Sequence, residues 1–355
     1  TIPMPGLENL NRVTVQKGSL NGWRQYWDLM ITKKMNTMLA LCVDSFGSTL
    51  MNFTDYNGFV WHIGSTESGT GKSLTLSAKA GVWGHPIHYR TGKGTSPVAM
   101  QQRAGLLNSM PLLIDEITSK ARDNLEWAPA FIFDLTEGQG KERMESGANK
   151  ERVNNSTWKL SCTMTSNTHL TDYMSGARKH SSNGELLRLL EWTPNKPLQW
   201  SDEEREVLKS IKNNYGVAGE AWVRWLVRNQ EAAAEMVRRV HERLKVEMHF
   251  TDEERYWHTG CTEIVAAAVL LSAMGKLEAR SLVPGVEQYD VTANGKKFSH
   301  KLGWTPWEPV LGFIDSIAGG GGLLSVPALL LAGASPVEAL ATNKVQGTFG
   351  AATAT

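Results

Sequence analysis

FVWHIGSTESGTGKSLTLSAKAGVWG, Phe59 to Gly84, decides how the rest of the sequence is read. The apolar run Phe59 to Ile63 has the length and composition of a short buried strand. Thr66-Glu67-Ser68-Gly69-Thr70-Gly71-Lys72-Ser73 follows, then a helix-like segment from Leu74. Strand, glycine-rich turn and helix are the context of a phosphate-binding loop. Ser68, Gly69, Thr70, Gly71, Lys72, Ser73 and Leu74 are the expected cradle, because the turn aims backbone N–H groups at one point and the helix N-terminus adds partial positive charge. Lys72 would reach the β- and γ-phosphates of ATP, and the Ser73 hydroxyl would hold Mg2+. The GxxxxGK[ST] pattern has Thr66 where its first glycine stands. A β-branched residue strains a position needing positive φ, so Gly64 and Gly69 are expected to absorb the turn.

The second half of such a site is Met110-Pro111-Leu112-Leu113-Ile114-Asp115-Glu116, an apolar strand ending in two acids about 40 residues further on. This is the Walker B arrangement. Asp115 would bind the metal, directly or through water, and Glu116 would polarise the attacking water.

Composition constrains the rest. The 355 residues carry 37 Lys and Arg against 36 Asp and Glu, a net charge of +1. Bulk electrostatics neither demand nor exclude a nucleic-acid partner, so any such surface must be local. Cys42, Cys162 and Cys261 are scattered without CxxC spacing, and read as reduced buried thiols of a cytoplasmic protein. No signal peptide opens the chain, and a start at Thr1 leaves a fragment open. The thirteen tryptophans recur in helical stretches, where they suit the core.

Asn21 is placed to cap a helix from Gly22 to about Ile31, with Trp23 and Trp27 on one face, and a second helix is expected over about Lys34 to Leu50. His85-Pro86-Ile87-His88 lacks further ligands and is not read as a metal site. The Arg90 to Pro97 loop is read as a solvated turn, with nucleic acid or the nucleotide as the alternative, and Val98 to Asn108 as a helix. Phe131 to Leu135 begins a segment, running through EGQGKER, expected to form a hairpin or loop on one side of the nucleotide site. Trp158 to Met164 is a third buried strand, and Asn167 lies at its tip, the sensor-1 position of AAA+-type ATPases; a plain cap is the alternative. Arg188, or else Arg178, stands where such rings place an arginine finger, the alternative for Arg188 being a surface salt bridge to Glu185 or Glu191. Helices are expected over 202–213, 217–246 and 251–275, with Trp222, Trp225 and Leu226 on an apolar stripe continued by Val237, Val240 and Leu244.

With the P-loop, PLLIDEI, EGQGKER, SCTMTSN and ERYWHTGCTEIVAAAVL in place, residues 15–278 resemble the domain of unknown function 927 family, helicase-like ATPases of phages and mobile elements. The resemblance implies an α/β, RecA/AAA+-like P-loop core with a mostly parallel sheet, ATP and Mg2+ as cofactors, and work on DNA in replication, with a homo-oligomeric ring if an arginine acts in trans. It carries Lys72, Ser73, Asp115 and Glu116 over as nucleotide-site residues. The implied division is a lead-in over 1–52, the ATPase core over 53–198, a helical region over 199–278 and a linker over 279–309. From Leu311, LGFIDSIAGGGGLLSVPALLLAGASPVEALATNKVQGTFGAATA is similar to the N-terminal part of TauE/SafE sulfite-exporter-like permeases. Gly319 to Gly322 break its apolar stretch into two pieces, neither long enough to span a bilayer. Transport is therefore not expected of this chain, membrane association is confined to 310–355, and a natural fusion, a chimera and an assembly artefact stay open. A packaging or remodelling ATPase without strand separation is the alternative to a helicase.

Overall fold

A computed structural model describes residues 8–277, apart from 34, 93, 118–126, 141–142, 145–150, 153–155, 177–183 and 195–197, together with 288–293 and 296–300. The lead-in is helical: α1 (Glu8–Val13), α2 (Leu20–Thr32) and α3 (Asn36–Gly47), the last running into a 3-10 turn at Ser48–Phe53. Ser19, not Asn21, caps α2, its hydroxyl accepting from the Gly22 N–H. Trp23 and Trp27 lie 4.9 Å apart between ring centroids, and both meet Phe46 of α3. Of these helices α3 reaches the strand that follows, where Asp44 accepts from Trp61 at 3.1 Å.

β1 (Gly58–Gly64) is buried at all seven positions. It leads through the glycine-rich turn into α4 (Lys72–Trp83). α5 (Pro97–Leu107) has the Ser96 hydroxyl as its cap and Pro97 in its first turn. It precedes β2 (Leu112–Ile114). α6 (Trp127–Glu137) takes up the segment expected to begin a hairpin. Ala128, Phe131, Ile132 and Leu135 recur at helical spacing and are all buried, which explains the difference. A small hairpin does follow, with β3 (Arg143–Met144) antiparallel to β4 (Glu151–Arg152). Its base, where Gln139 bridges Thr157, adjoins Gly138, and a side chain there would meet Asn57. Asn57 precedes β1, so the base lies at the end of the sheet away from Lys72, and the expected place beside the nucleotide is corrected.

β5 (Leu160–Ser166) is again wholly buried and runs into α7 (Leu170–Gly176). β6 (Leu189–Trp192) follows. α8 (Asp202–Ser210) opens on a reciprocal box between Ser201 and Glu204. The helix expected over 217–246 is two, α9 (Val217–Arg228) and α10 (Gln230–Met248). They part at Asn229, whose side chain donates to the Trp225 carbonyl at 2.7 Å and ends α9. α11 (Arg255–Leu277) packs against α10 and α3. The stretch read as a linker contains an antiparallel pair, β7 (Gln288–Ala293) and β8 (Lys296–His300). The permease-like segment 310–355 lies outside the described residues. Among the described residues no helix is long and apolar enough to cross a membrane.

β1, β2, β5 and β6 form one parallel sheet in the order β2-β5-β1-β6. The α/β, RecA/AAA+-like expectation therefore stands. β5 separates the strand leading to Lys72 from the strand leading to Asp115, and its own tip carries Asn167 between them. Thr91 extends the outer edge, bridging Ile114 in parallel.

The core contains an ionic centre. Asp44 of α3 accepts from Trp61 of β1 at 3.1 Å, from Ser161 of β5 at 2.8 Å and from Lys79 of α4. Asp44, Lys79 and Glu263 of α11 are all fully buried. Both Glu263 carboxyl oxygens lack a hydrogen-bond partner, and burial, then the Asp44 charge, pushes its pKa well above the ordinary value. The three cysteines are buried and unpaired; burial raises all three thiols, Cys42 and Cys261 to about 12.

Glu263 generates a test. Its folded carboxyl holds its proton where the unfolded one has released it, so stability falls as pH rises above the ordinary carboxylate value, until the folded group ionises. Glu263→Met is expected to stabilise the fold by roughly 1–3 kcal/mol. That gain should widen between pH 5 and pH 8 in denaturant melts; a constant difference would show that the buried carboxyl is not the protonated species.

Candidate nucleotide site

The loop between β1 and α4 takes its shape from two left-handed glycines. Gly69 has φ 75° and Gly71 has φ 97°. Gly64, expected to share the turn, has no positive φ, and neither does Thr66. The substitution at the first glycine position therefore meets no left-handed backbone. A Cβ at Gly71 would approach the movable ends of Met38 at 2.6 Å and Leu198 at 2.8 Å, so it is the left-handed φ that favours glycine there. The Ser65 hydroxyl donates to the Pro194 carbonyl and accepts from the Glu67 N–H, and the Leu198 N–H donates to the Gly69 carbonyl at 2.9 Å. Residues 66–69 face solvent, whereas Ser65 and Thr70 are buried.

Lys72, the first residue of α4, turns back over this loop. Its amine donates to the Ser65 carbonyl, to the Glu67 carbonyl at 3.4 Å and to Asn167 Oδ1 at 2.8 Å. The other end of that amide donates to Glu116 Oε2 at 2.9 Å. Lysine, strand-tip asparagine and second acid thus form one polar chain across three strand ends. Burial lowers the Lys72 pKa, while the Glu116 charge works in the other direction.

Asp115 is aimed by its neighbours. Its Oδ2 accepts from Arg90 Nη1 at 2.9 Å, and its Oδ1 from the Thr165 hydroxyl at 3.2 Å. The same hydroxyl accepts from the Glu116 N–H at 3.0 Å. Arg90 Nη1 also lies 3.5 Å from the Ser73 carbonyl, so the first turn of α4 and the end of β2 flank one guanidinium. Glu116 has φ 58°, a left-handed conformation that a non-glycine residue adopts at a cost.

Ser73 and Asp115 offer oxygen donors only, the hard set that suits Mg2+. Each carboxylate oxygen of Asp115 keeps a lone pair beyond its present bond. The donor chemistry therefore fits the ion.

A second layer supports Asn167. His62 of β1 is fully buried, its Nδ1 2.6 Å from Glu191 Oε2 and its Nε2 2.9 Å from the Ser166 hydroxyl. Glu191 also accepts from the Leu170 and Thr171 N–H groups, from the Thr171 hydroxyl, and lies 3.1 Å from His169. The bonds to His62 and Thr171 outweigh its burial and hold its pKa down at about 2. The asparagine loop is thereby tied to β1 and β6.

Arg188 does not join the site. It is buried before β6, at the opposite end of the sheet. Its Nε donates to Thr136, its Nη2 pairs with Glu137 at 3.0 Å, and its guanidinium packs over Phe133 and Tyr256. It is a structural cation rather than a finger offered to a neighbour, and its partner is neither Glu185 nor Glu191. Arg178 lies outside the described residues. Sequence reading understated Arg90, left as a turn residue, and did not single out Thr165, Glu191 or His62.

The geometry can now be set beside known proteins. The chain is similar to a solved structure described as SCCmec type IV Cch, an active helicase, with 14% identity and a TM-score of 0.59, covering 88% of this chain and 53% of that one. At that identity the likeness is one of fold. Short stretches are similar to membrane proteins. One is 68% identical over 44 residues to the probable membrane transporter protein YfcA of Escherichia coli (strain K12), which is 12% of this chain and 16% of the transporter. A match of 46 residues is 59% identical to the probable membrane transporter protein ORF9 of Sinorhizobium sp, 13% and 18% of the two chains. The chain thus spans about half the length of the helicase and less than a fifth of either transporter. Residues 7–155, which include Lys72, Ser73, Asp115 and Glu116, match the family described as Domain of unknown function (DUF927).

Proposed function

We propose that the chain is a Mg2+-dependent P-loop ATPase of helicase-like type that acts on DNA, in the replication of a phage or mobile element. The observation that carries the reading is the hydrogen-bonded run Lys72–Asn167–Glu116, with Asp115 beside Glu116 at the end of β2. Lys72, with the backbone N–H groups from Ser68 to Leu74, would bind the phosphates. Ser73 and Asp115 would hold Mg2+, which supplies neutralisation of the charge on the transferred phosphoryl group. Glu116 would take the proton of the attacking water, and Asn167, already bonded to Glu116, would orient that water. Phosphates entering the loop would give Lys72 new acceptors in place of Asn167, freeing the amide for the water.

Helicase rather than any ATPase is favoured by the fold of the active helicase described above. A packaging or remodelling motor sharing that core remains the second reading. With Arg188 committed to the interior, a ring completed by an arginine in trans would depend on Arg178. Residues 310–355 would take no part in hydrolysis.

Lys72→Ala is expected to abolish ATP turnover with an unchanged melting temperature; turnover surviving in that variant would refute the site. Glu116→Gln should still bind nucleotide but lose about 10²–10⁴-fold in kcat. Strand displacement on a forked DNA duplex separates the two motors, since a helicase opens the fork and a packaging motor hydrolyses ATP without opening it.

A further inference from the structure

The chain's near-neutral charge conceals a local basic surface away from the nucleotide site. A cleft of about 490 Å³ is lined by Asn9, Arg12, Val13, His85, His88 and Arg103. α1 forms one wall, α5 the other, and the segment after α4 forms the floor. The first wall and the floor are clamped together: the His85 N–H donates to the Val13 carbonyl at 2.8 Å, and a Cβ on Gly84 would lie 2.0 Å from that same oxygen. The floor is shaped from within, because His85 Nδ1 accepts from the backbone N–H groups of Ile87 and His88.

The cations of this cleft lack counter-ions. Elsewhere Arg24, Arg90, Arg188, Arg224, Arg238 and Arg239 each meet a carboxylate. Among the described residues Arg12 and Arg103 form no salt bridge, and Arg12 is exposed. Arg103 donates only to a carbonyl, that of Tyr89 at 2.6 Å, and its Nε has no partner. Burial disfavours its charge without a carboxylate to offset it. Lys17 and Lys212 add to the positive field felt by His85, and both are exposed. Partly desolvated, unpaired cations concentrated in a cleft are a site for anions, and their continuation onto Lys17 and Lys212 suits a polymer of phosphates over a single one.

The floor also leads to the nucleotide site. Tyr89 follows His88, and its hydroxyl donates to the Pro111 carbonyl just before β2. Arg90 follows with its grip on Asp115, and Thr91 pairs with β2. Seven consecutive residues, His85 to Thr91, therefore join the cleft to the first Walker B acid.

We infer that this cleft binds the phosphate backbone of single-stranded nucleic acid and that the strap behind it conveys occupancy to Asp115. The coupling rests on the ATPase reading above; the binding does not. The test is fluorescence anisotropy of a labelled single-stranded oligonucleotide with the whole chain and no nucleotide, across a salt series. Arg12→Glu combined with His88→Ala should weaken binding about tenfold and flatten the dependence of log affinity on log salt by roughly one. Arg12→Gln, a milder change at an exposed position, should weaken it less, about threefold. Unchanged affinity and salt slope in folded variants would overturn the assignment. Thermal stabilisation by inorganic phosphate over chloride at matched ionic strength, lost in the variants and without oligonucleotide binding, would also overturn it and give the cleft to a small phosphate ester. If the double variant keeps basal ATP turnover but loses its stimulation by the oligonucleotide, the strap's role is supported; stimulation retained despite lost binding would refute it.

Discussion

One buried carboxylate holds the working parts of this molecule in register. Asp44 bonds at once to the helix that follows the phosphate loop, through Lys79, and to the two central strands, through Trp61 and Ser161. Lys72 and Lys79 are seven residues apart on α4 and so share a face, two turns from one another. Anchoring Lys79 against the sheet settles where the N-terminus of α4 points. The arrangement is demanding, because breaking a buried pair by removing one member costs roughly 3–5 kcal/mol. What it secures is direction: the loop amides and Lys72 are aimed over the ends of β1 and β5 by groups no solvent reaches.

The candidate site is built in two tiers. Nearest the loop stand Lys72, Asp115, Glu116 and Asn167, each bonded to another protein group. Behind them Thr165 sets Asp115 and the Glu116 backbone together, while Glu191 and His62 hold the turn that presents Asn167. Thr165 and Glu191 come from β5 and β6, the two strands that flank β1, so the sheet's strand order, rather than proximity in the chain, is what assembles the site.

Much of this was legible in the sequence, and the parts that were not have physical reasons. The glycine-rich turn, the acidic strand end and the place of Asn167 at a strand tip beside them could be read because each depends on short-range pattern: an apolar run, then a residue type forced by backbone geometry or chemistry. Arg188 could not, because a position after a strand says nothing about depth, and its partners Thr136 and Glu137 are about fifty residues away in the chain. Phe131 to Leu135 reads equally as strand or helix when seen as a short apolar run; the buried Ala128 one turn earlier settles it. The α9–α10 break turns on one asparagine side chain folding back onto its own helix, a local competition that apolar periodicity overlooks. The Ser19 cap lies only two residues from the expected one, within the usual fraying of helix ends. Arg90 and the floor of the cleft belong to a loop with no periodic signal, and their surroundings appear only when distant segments are brought beside it.

The left-handed backbone at Glu116 has an implication for how this protein tolerates change. Glycine would relieve that conformation while deleting the carboxylate. Under the general-base role proposed for Glu116, selection for thermal robustness and selection for turnover would pull this codon in opposite directions, and a library enriched for heat-resistant clones would drift toward inert ones at this very position.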